Sequence, residues 1–230
     1  MGEKDYSGIN RSNGNVRGVS QRTINKKRGT LAHDFDGEIT ASDIQAQYSQ
    51  VGISITPLEA QAIRSAVNSY SRDGYDVMVE AWRKQARGEQ LSASEEYDYR
   101  AYKKCEEYLR VAPTFTSSQP EIYRGVRDSY DTQRQEYFNH LLSLKPGDTF
   151  DNDRRPTSYT SSFDMGKEFA GAKGAIIHAP VKKLRNSVSI VAISPSMSEQ
   201  EVFSADYDWK VSRVSDLRNT SDGFYHIYLK

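Results

Sequence analysis

The sequence predicts an α+β protein whose helices come first and whose strands come last. Helix-start signatures and apolar residues at helical spacing recur between about residues 55 and 113. Short segments of strand-forming residues, bounded by turn residues, recur from about residue 120 to residue 230. A run of helices followed by a run of strands is typical of α+β folds, here with a sandwich-like β half.

Composition excludes several classes of protein. The chain has 230 residues, enough for one substantial core or two small ones, and its 31 basic and 31 acidic residues cancel. A neutral chain does not favour direct nucleic-acid binding. The sequence has neither an apolar run of about 18 residues nor the apolar segment of a signal peptide. We therefore expect no membrane partner and a protein that acts in the cytoplasm of a cell, which is the host's if other machinery delivers it there. We also expect a monomer.

The first thirty residues differ from the rest in composition. They are rich in Gly, Asn, Ser and Arg, and carry seven basic against two acidic residues. This composition predicts a flexible basic arm over residues 1–30, the alternative being a docking element for an acidic partner. Residues 31–230 are expected to form a single domain.

Three helices are predicted after the arm. Thr56–Glu59 combines a Thr cap, a Pro at the first helical position and a Glu that can return to the cap. Ser92 and Glu95 repeat this capping box before another helix, which Pro113 ends. An amphipathic stretch, Tyr75 to about Arg87, lies between the two.

Neither cysteine nor histidine predicts a metal site or a disulfide. Cys105 is the only cysteine and falls on the apolar face of the third helix, so it is most simply a core residue. The histidines have no metal-ligand spacing, and we expect no bound metal. They are His33, His140, His178 and His226.

The second half alternates short strands with two helices. The predicted helices are about Asp131–Leu144 and Asp164–Gly171. The predicted strands are Ile122–Val126, Thr157–Ser161, Ala175–His178, Val188–Ile193, Glu201–Phe203, Trp209–Val214 and Phe224–Leu229. No G-x-G-x-x-G motif follows a strand and no phosphate-binding loop is present, so Rossmann and P-loop nucleotide sites are not expected.

A pair of carboxylates, Glu199 and Glu201, follows a loop rich in Ser and Pro. If both lie on one strand, their spacing of two directs both side chains to the same face and into one cleft. Such a pair could handle positive charge. The alternative is a solvated edge strand.

Three motifs in order carry a resemblance to a known family. Tyr123–Val126 contains an Arg, Thr160–Phe163 contains three consecutive hydroxyl residues, and Glu199–Val202 contains Glu-x-Glu. Together they resemble the signature of mono-ADP-ribosyltransferases, including clostridial exoenzymes and Mod-type enzymes of tailed phages. The resemblance covers about residues 55–230 and implies N-terminal helices packed on a split β-sandwich, the ADP-ribosyltransferase fold.

The resemblance implies transfer of ADP-ribose from NAD to a protein, with release of nicotinamide and without a metal. Glu201 would be the catalytic carboxylate. Thr160 would orient it, although the family usually has Ser at this place, so Ser158 or Ser161 could be the partner instead. Glu199 is the type of residue that relatives use to modify arginine, which implies a host protein with an accessible arginine as acceptor.

Other residues are implied at the NAD site by position in the motifs. Arg124 would bind phosphate or ribose, the alternative being a surface strand charge, and Gly125 would present its backbone to nicotinamide. Phe169 stands where clostridial relatives place an aromatic that stacks on nicotinamide. The hydroxyl residues Ser161 and Ser162 complete the site.

Two more positions depart from the family pattern or are ambiguous. The helix Tyr75 to about Arg87 resembles the nucleotide-facing helix of the family, but Val79 replaces an Asn and Arg83 is retained. Lys173 follows Phe169 where a basic residue often meets the NAD phosphates, or it is a solvated lysine.

Two other functions fit the same motifs. An NAD glycohydrolase would use water as acceptor, and a degenerate module would bind a partner or nucleotide without chemistry.

Overall fold

A computed structural model describes residues 15–32, 37–128, 132–150, 156–194, 200–206, 208–215 and 221–230. Contacts divide the chain into two compact units. The first unit draws on Met1–Thr30, Asp36–Pro113 and Ala192–Pro195. The second draws on Leu31–Phe35, Thr114–Val191 and Ser196–Lys230.

The first unit is helical. Its helices are α1 (Gln21–Lys27), α2 (Ala41–Gln50), α3 (Pro57–Ser69), α4 (Tyr75–Ala86) and α5 (Ala93–Val111), with a π-helical turn at Tyr70–Gly74. None of the described helices is both long enough and apolar enough to cross a bilayer.

Both predicted capping boxes are confirmed. The Thr56 hydroxyl accepts the Glu59 N–H at 3.2 Å, and the Glu59 carboxylate accepts the Thr56 N–H at 2.8 Å. Ser92 and Glu95 exchange the same two bonds at the start of α5. Cys105 is completely buried on α5, which confirms its role as a core residue.

The N-terminal segment differs from the expected arm. Residues 1–14 lie outside the described residues, but Gln21–Lys27 form α1, which is capped by Ser20 and buries Ile24 completely. The Gln21 side chain also donates to the carbonyl of Arg110 at 2.9 Å. Residues 20–28 are therefore ordered, because one apolar side chain and one amide find partners that a composition count does not show.

The described chain also contains ten strands and two α-helices after α5. The helices are α6 (Thr132–Ser143) and α7 (Phe163–Ala170). The strands are β1 (Thr30–Ala32), β2 (Thr114–Thr116), β3 (Glu121–Val126), β4 (Thr149–Phe150), β5 (Thr157–Thr160), β6 (Ala175–Pro180), β7 (Ser187–Ser189), β8 (Glu201–Ser204), β9 (Trp209–Val214) and β10 (Tyr225–Leu229).

Eight of these strands hydrogen-bond in the order β4-β9-β10-β6-β3-β5-β8-β7, and β1 pairs with β2. The α+β prediction is confirmed. The expected strand Val188–Ile193 is wrong in extent, since β7 ends at Ser189 and a turn begins at Val191. Consecutive apolar residues are typical of a buried strand, but here Ile190, Ala192 and Ile193 are buried outside any strand.

The core of the second unit lies on one face of the sheet. Ile122, Tyr159, Val202 and Ile177 come from four neighbouring strands and belong to one buried cluster with Leu141 of α6. Alternation along each strand then sends the intervening residues to the opposite face. That second face carries the polar residues described next.

A row of directly opposed residues crosses six strands on this second face. Its members, from β9 to β8, are Arg213, Tyr228, His178, Tyr123, Thr160 and Glu201. The Arg213 guanidinium lies 3.9 Å from the centre of the Tyr228 ring, and that ring stacks on His178 at 4.2 Å. One row of the sheet thus runs from an aromatic region to a buried carboxylate.

Two histidines anchor the aromatic end of this row. His178 contacts Glu121 at 2.9 Å through Nδ1 and His226 at 2.9 Å through Nε2, and His226 contacts Asp222 at 3.1 Å. Burial lowers the pKa of His178, although the Glu121 carboxylate acts in the opposite direction. The Phe163 ring at the start of α7 lies 6.0 Å from His178, so this cluster supports α7.

Candidate active site

The candidate site lies on three consecutive strands, β3, β5 and β8. Thr160 pairs directly with Glu201 on one side and with Tyr123 on the other. Adjacent strands are about 4.8 Å apart, so Glu201 lies roughly 10 Å from β3. Segments separated by about 80 positions in the chain are therefore neighbours in the sheet.

Glu201 is a buried carboxylate. It begins β8, a strand between β5 and β7 whose four residues are all buried, and only 6% of Glu201 is exposed. A buried carboxylate in a sheet is costly unless its surroundings stabilise it, which makes it a candidate functional group.

The three hydroxyl residues at the end of β5, Thr160 to Ser162, have separate local roles. The Thr160 hydroxyl accepts the Ser162 N–H at 3.0 Å, which forms a tight corner at the end of the strand. The Ser162 hydroxyl caps α7 by accepting the Met165 N–H at 3.3 Å. The Ser161 hydroxyl donates to the Gln200 side chain at 2.9 Å.

This arrangement bears on which hydroxyl lies beside Glu201. Thr160 is the residue directly opposite Glu201. Ser158 lies two residues before Thr160 on β5 and is opposite Phe203. The Ser161 O–H is used in the bond to Gln200.

Arg124 follows Tyr123 on β3 and is opposed to Ile177 of the buried cluster, so regular alternation places it on the other face of the sheet from Glu201. Its side chain bridges to β5. Its Nη1 donates to the Ser158 carbonyl at 3.0 Å. Among the described residues β3 and β5 share a single opposed pair, whereas β3 and β6 share six. The guanidinium thus joins two strands at the place where their ladder is short.

Gly125 allows α7 to approach β3 closely. A Cβ at this position would lie 2.0 Å from the Gly166 carbonyl oxygen, 2.4 Å from the Ala170 nitrogen and 2.8 Å from the Phe169 Cβ. Only glycine fits such a contact. The resemblance implied a role for Gly125 toward nicotinamide, and the structure adds a packing role that no motif indicated.

Phe169 is an exposed aromatic beside this contact. It lies near the end of α7 with 37% of its surface exposed. Its carbonyl accepts the Arg127 Nε–H at 3.3 Å, which fixes the end of the helix. An exposed ring on a fixed helix, next to the strand of Arg124, offers a flat apolar surface to a ligand.

No protein-family model matches the sequence, and no curated protein matches it. Solved structures do match. The Vis toxin, an ADP-ribosyltransferase from Vibrio splendidus, has a TM-score of 0.54 at 18% identity, over 82% of this chain and 81% of that chain. Another structure of Vis contains agmatine and matches with a TM-score of 0.53.

Two further structures come from other bacteria. The C3 exoenzyme of Clostridium limosum has a TM-score of 0.51 at 14% identity, over 86% of this chain and 98% of that chain. Exoenzyme S of Pseudomonas aeruginosa, bound to carba-NAD and to human 14-3-3 protein beta, has a TM-score of 0.50 at 13% identity, over 91% and 87%. This chain has the ADP-ribosyltransferase fold.

One sequence expectation within this ADP-ribosyltransferase fold falls partly outside the described residues. Glu199 lies outside the described residues, and β8 begins only at Glu201. Gln200 has φ 49°, a left-handed conformation that a strand does not contain. The described strand therefore does not extend back to Gln200, and the prediction that Glu199 and Glu201 share a face stays a prediction.

Arg83 and Lys173 are placed differently from the residues above. Arg83 is half-buried on α4 in the first unit, where its guanidinium lies 3.7 Å from the Glu80 carboxylate, and the neighbouring Val79 is a core residue. Lys173 is exposed in the short turn Gly171–Lys173 after α7. Within the described ranges, no group of three His, Cys, Asp or Glu residues is placed to hold a metal ion.

Proposed function

We propose that this protein transfers ADP-ribose from NAD to an arginine side chain of a target protein and releases nicotinamide. The observation that carries the proposal is the placement of Glu201: a buried carboxylate paired directly with Thr160 in an ADP-ribosyltransferase fold. Thr160 and Glu201 belong to the motif set found in the sequence, and the strand of its third member, Arg124, adjoins that of Thr160.

Glu201 is assigned the catalytic role. Cleavage of the bond between ribose and nicotinamide gives the ribose carbon positive character, as in glycoside hydrolysis. A carboxylate about 5 Å away at an effective dielectric near 20 stabilises that charge by roughly 3 kcal/mol, about a hundredfold in rate. Thr160, directly opposite in β5, is assigned to orient the carboxylate.

The remaining residues are assigned to bind NAD. Arg124 supplies a fork of donors for phosphate or ribose, and its bond to the Ser158 carbonyl preorients that fork. Phe169 offers its exposed ring to the nicotinamide. Lys173 is assigned to the phosphates by its position after Phe169, and Arg83 to NAD by its position on the helix that resembles the family's nucleotide-facing helix.

Arginine is the proposed acceptor for two reasons. Glu199 precedes Glu201 by two positions, and a carboxylate there can bind a guanidinium and take up the proton that it loses on attack. The matched Vis structure contains agmatine, which carries the guanidinium group of arginine. The target would be a host protein with an accessible arginine.

Label transfer tests the proposal. Wild-type protein incubated with labelled NAD and a cell lysate should label a protein band, and mass spectrometry should place the modification on arginine. Glu201→Gln should lower transfer at least a hundredfold with little change in melting temperature, because Gln has the same shape. Glu136→Gln, which alters an exposed carboxylate of α6, is the matched control.

The competing functions predict other results. A glycohydrolase would release free ADP-ribose at the full rate when no acceptor protein is added, and Glu199→Gln would not change that rate. Absence of NAD turnover by the wild-type protein would leave a binding module. Full transfer by Glu201→Gln would refute the assignment of the carboxylate.

A further inference from the structure

The residue before the proposed catalytic carboxylate has an uncommon backbone conformation. Gln200 has φ 49°, in the left-handed region that residues other than Gly, Asn and Asp rarely adopt. Such a conformation is strained and persists only when neighbouring contacts hold it. Gln200 is exposed, so burial does not hold it.

Ser161 contacts Gln200 at two points. The Ser161 hydroxyl donates to the Gln200 side-chain oxygen at 2.9 Å, and the Ser161 N–H donates to the Gln200 carbonyl at 3.2 Å. Ser161 is itself buried, so it is a firm anchor. The next residues on each strand, Thr160 and Glu201, are the directly opposed pair.

These contacts fix the corner from which Glu201 enters β8. The main-chain bond extends the β5–β8 pairing by one residue beyond Thr160 and Glu201, and the side-chain bond holds the left-handed turn at that residue. A side chain cannot be held in place more firmly than its own backbone, and a catalytic group displaced by 1 Å can lose about a hundredfold in rate.

We propose that Ser161 and Gln200 form a positioning pair for Glu201, a role that rests on the proposed function. The sequence resemblance assigned Ser161 to NAD binding. The structure points elsewhere, because a serine hydroxyl has one O–H and this one donates it to Gln200. Gln200 was given no role by the sequence, where it is only the middle residue of Glu-x-Glu.

Matched variants separate positioning from NAD binding. Ser161→Ala removes the donor, and Gln200→Met removes the acceptor while keeping the length of the side chain. Each should lower kcat for NAD cleavage about tenfold or more and change KM for NAD less than twofold. Ser161→Thr, which keeps the hydroxyl, should restore most of kcat. Ser212→Ala, which removes a hydroxyl bond to the Tyr228 carbonyl on β9, should leave kcat unchanged.

The double variant decides whether the two residues act together. Ser161→Ala combined with Gln200→Met should lower kcat no further than the worse single variant. Multiplicative losses would show independent roles and overturn the proposal. A raised KM with unchanged kcat would overturn it too, in favour of NAD binding by Ser161.

A measurement without NAD distinguishes this proposal from the proposed function. If the wild-type protein cleaves no NAD, the proposed function fails and the positioning role fails with it. The contact between Ser161 and Gln200 is then examined by denaturant unfolding of the wild-type protein, the variants Ser161→Ala and Gln200→Met, and the double variant. If the double variant loses less stability than the sum of the two single losses, the contact of the positioning pair is supported. Additive losses refute it.

Discussion

Replacing Gly125 with Ala should push α7 away from β3. The added methyl group would lie 2.0 Å from the Gly166 carbonyl oxygen and 2.4 Å from the Ala170 nitrogen. Non-bonded atoms of this kind rest about 3.5 Å apart, and both obstacles are backbone atoms that cannot rotate away. The helix must therefore retreat by more than about 1 Å or the strand must bend.

The cost follows from known overpacking energies. Inserting a methyl group into a packed contact costs about 1–3 kcal/mol. For a chain of about 150–250 residues each kcal/mol lowers the melting temperature by about 2–4 °C, so a decrease of about 2–12 °C is expected. Because α7 carries Phe169, NAD cleavage should fall by roughly tenfold to a hundredfold as well.

Thermal unfolding by circular dichroism and a nicotinamide-release assay measure the two effects. Gly29→Ala is the matched control, since its added Cβ would lie 3.8 Å from the nearest atom, the Gln50 side-chain nitrogen. A Gly125→Ala protein with the wild-type melting temperature and activity would show that α7 does not approach β3 as closely as described.

Three further predictions concern single side chains. Phe169→Ala should raise KM for NAD about threefold to tenfold, which corresponds to the free energy of one aromatic contact. The melting temperature should not fall, because the ring is exposed. An unchanged KM would argue against stacking on nicotinamide. Arg124→Lys should also raise KM for NAD, since lysine lacks the guanidinium fork. Inhibition by ADP-ribose measures the affinity of each protein for the phosphate-bearing part of NAD. If the variant and the wild-type protein bind ADP-ribose equally well, the phosphate assignment is contradicted. Burial holds the pKa of His178 below its ordinary 6.5 in the folded protein. Below pH 6.5 the unfolded state therefore binds more protons than the folded state. The free energy of unfolding should fall as the pH is lowered, by at most about 1.4 kcal/mol per pH unit. Urea unfolding between pH 5 and 7.5 measures this slope, and His178→Gln should flatten it; an identical slope in the variant would count against the assignment.

Local signals in the sequence predicted the starts of α3 and α5, whereas α2 was missed although Thr40 and Asp43 form a capping box before it. A capping box involves residues three positions apart, so Thr56 with Glu59 and Ser92 with Glu95 specify helix starts without tertiary information. The helix α1 was missed because a single buried side chain, Ile24, decides it, and composition averages over that residue.

The site was only partly predictable for the opposite reason. Motif order indicated which segments matter, but the adjacency of β3, β5 and β8 depends on pairing between distant segments, which periodicity does not encode. The left-handed Gln200 was missed because glutamine gives no signal for that conformation. The contact between His178 and His226 spans 48 positions and has no spacing rule.

The order of strands in the sheet has a consequence for how the protein is made. Thr160 in β5 gains its partner Glu201 only after residues up to 204 have left the ribosome, because β8 is translated more than 40 positions later. Pairing over such separations is slow relative to helix formation. Chains halted before residue 201 lack the carboxylate altogether, so incomplete translation products contain the helices and the first strands but none of the proposed chemistry.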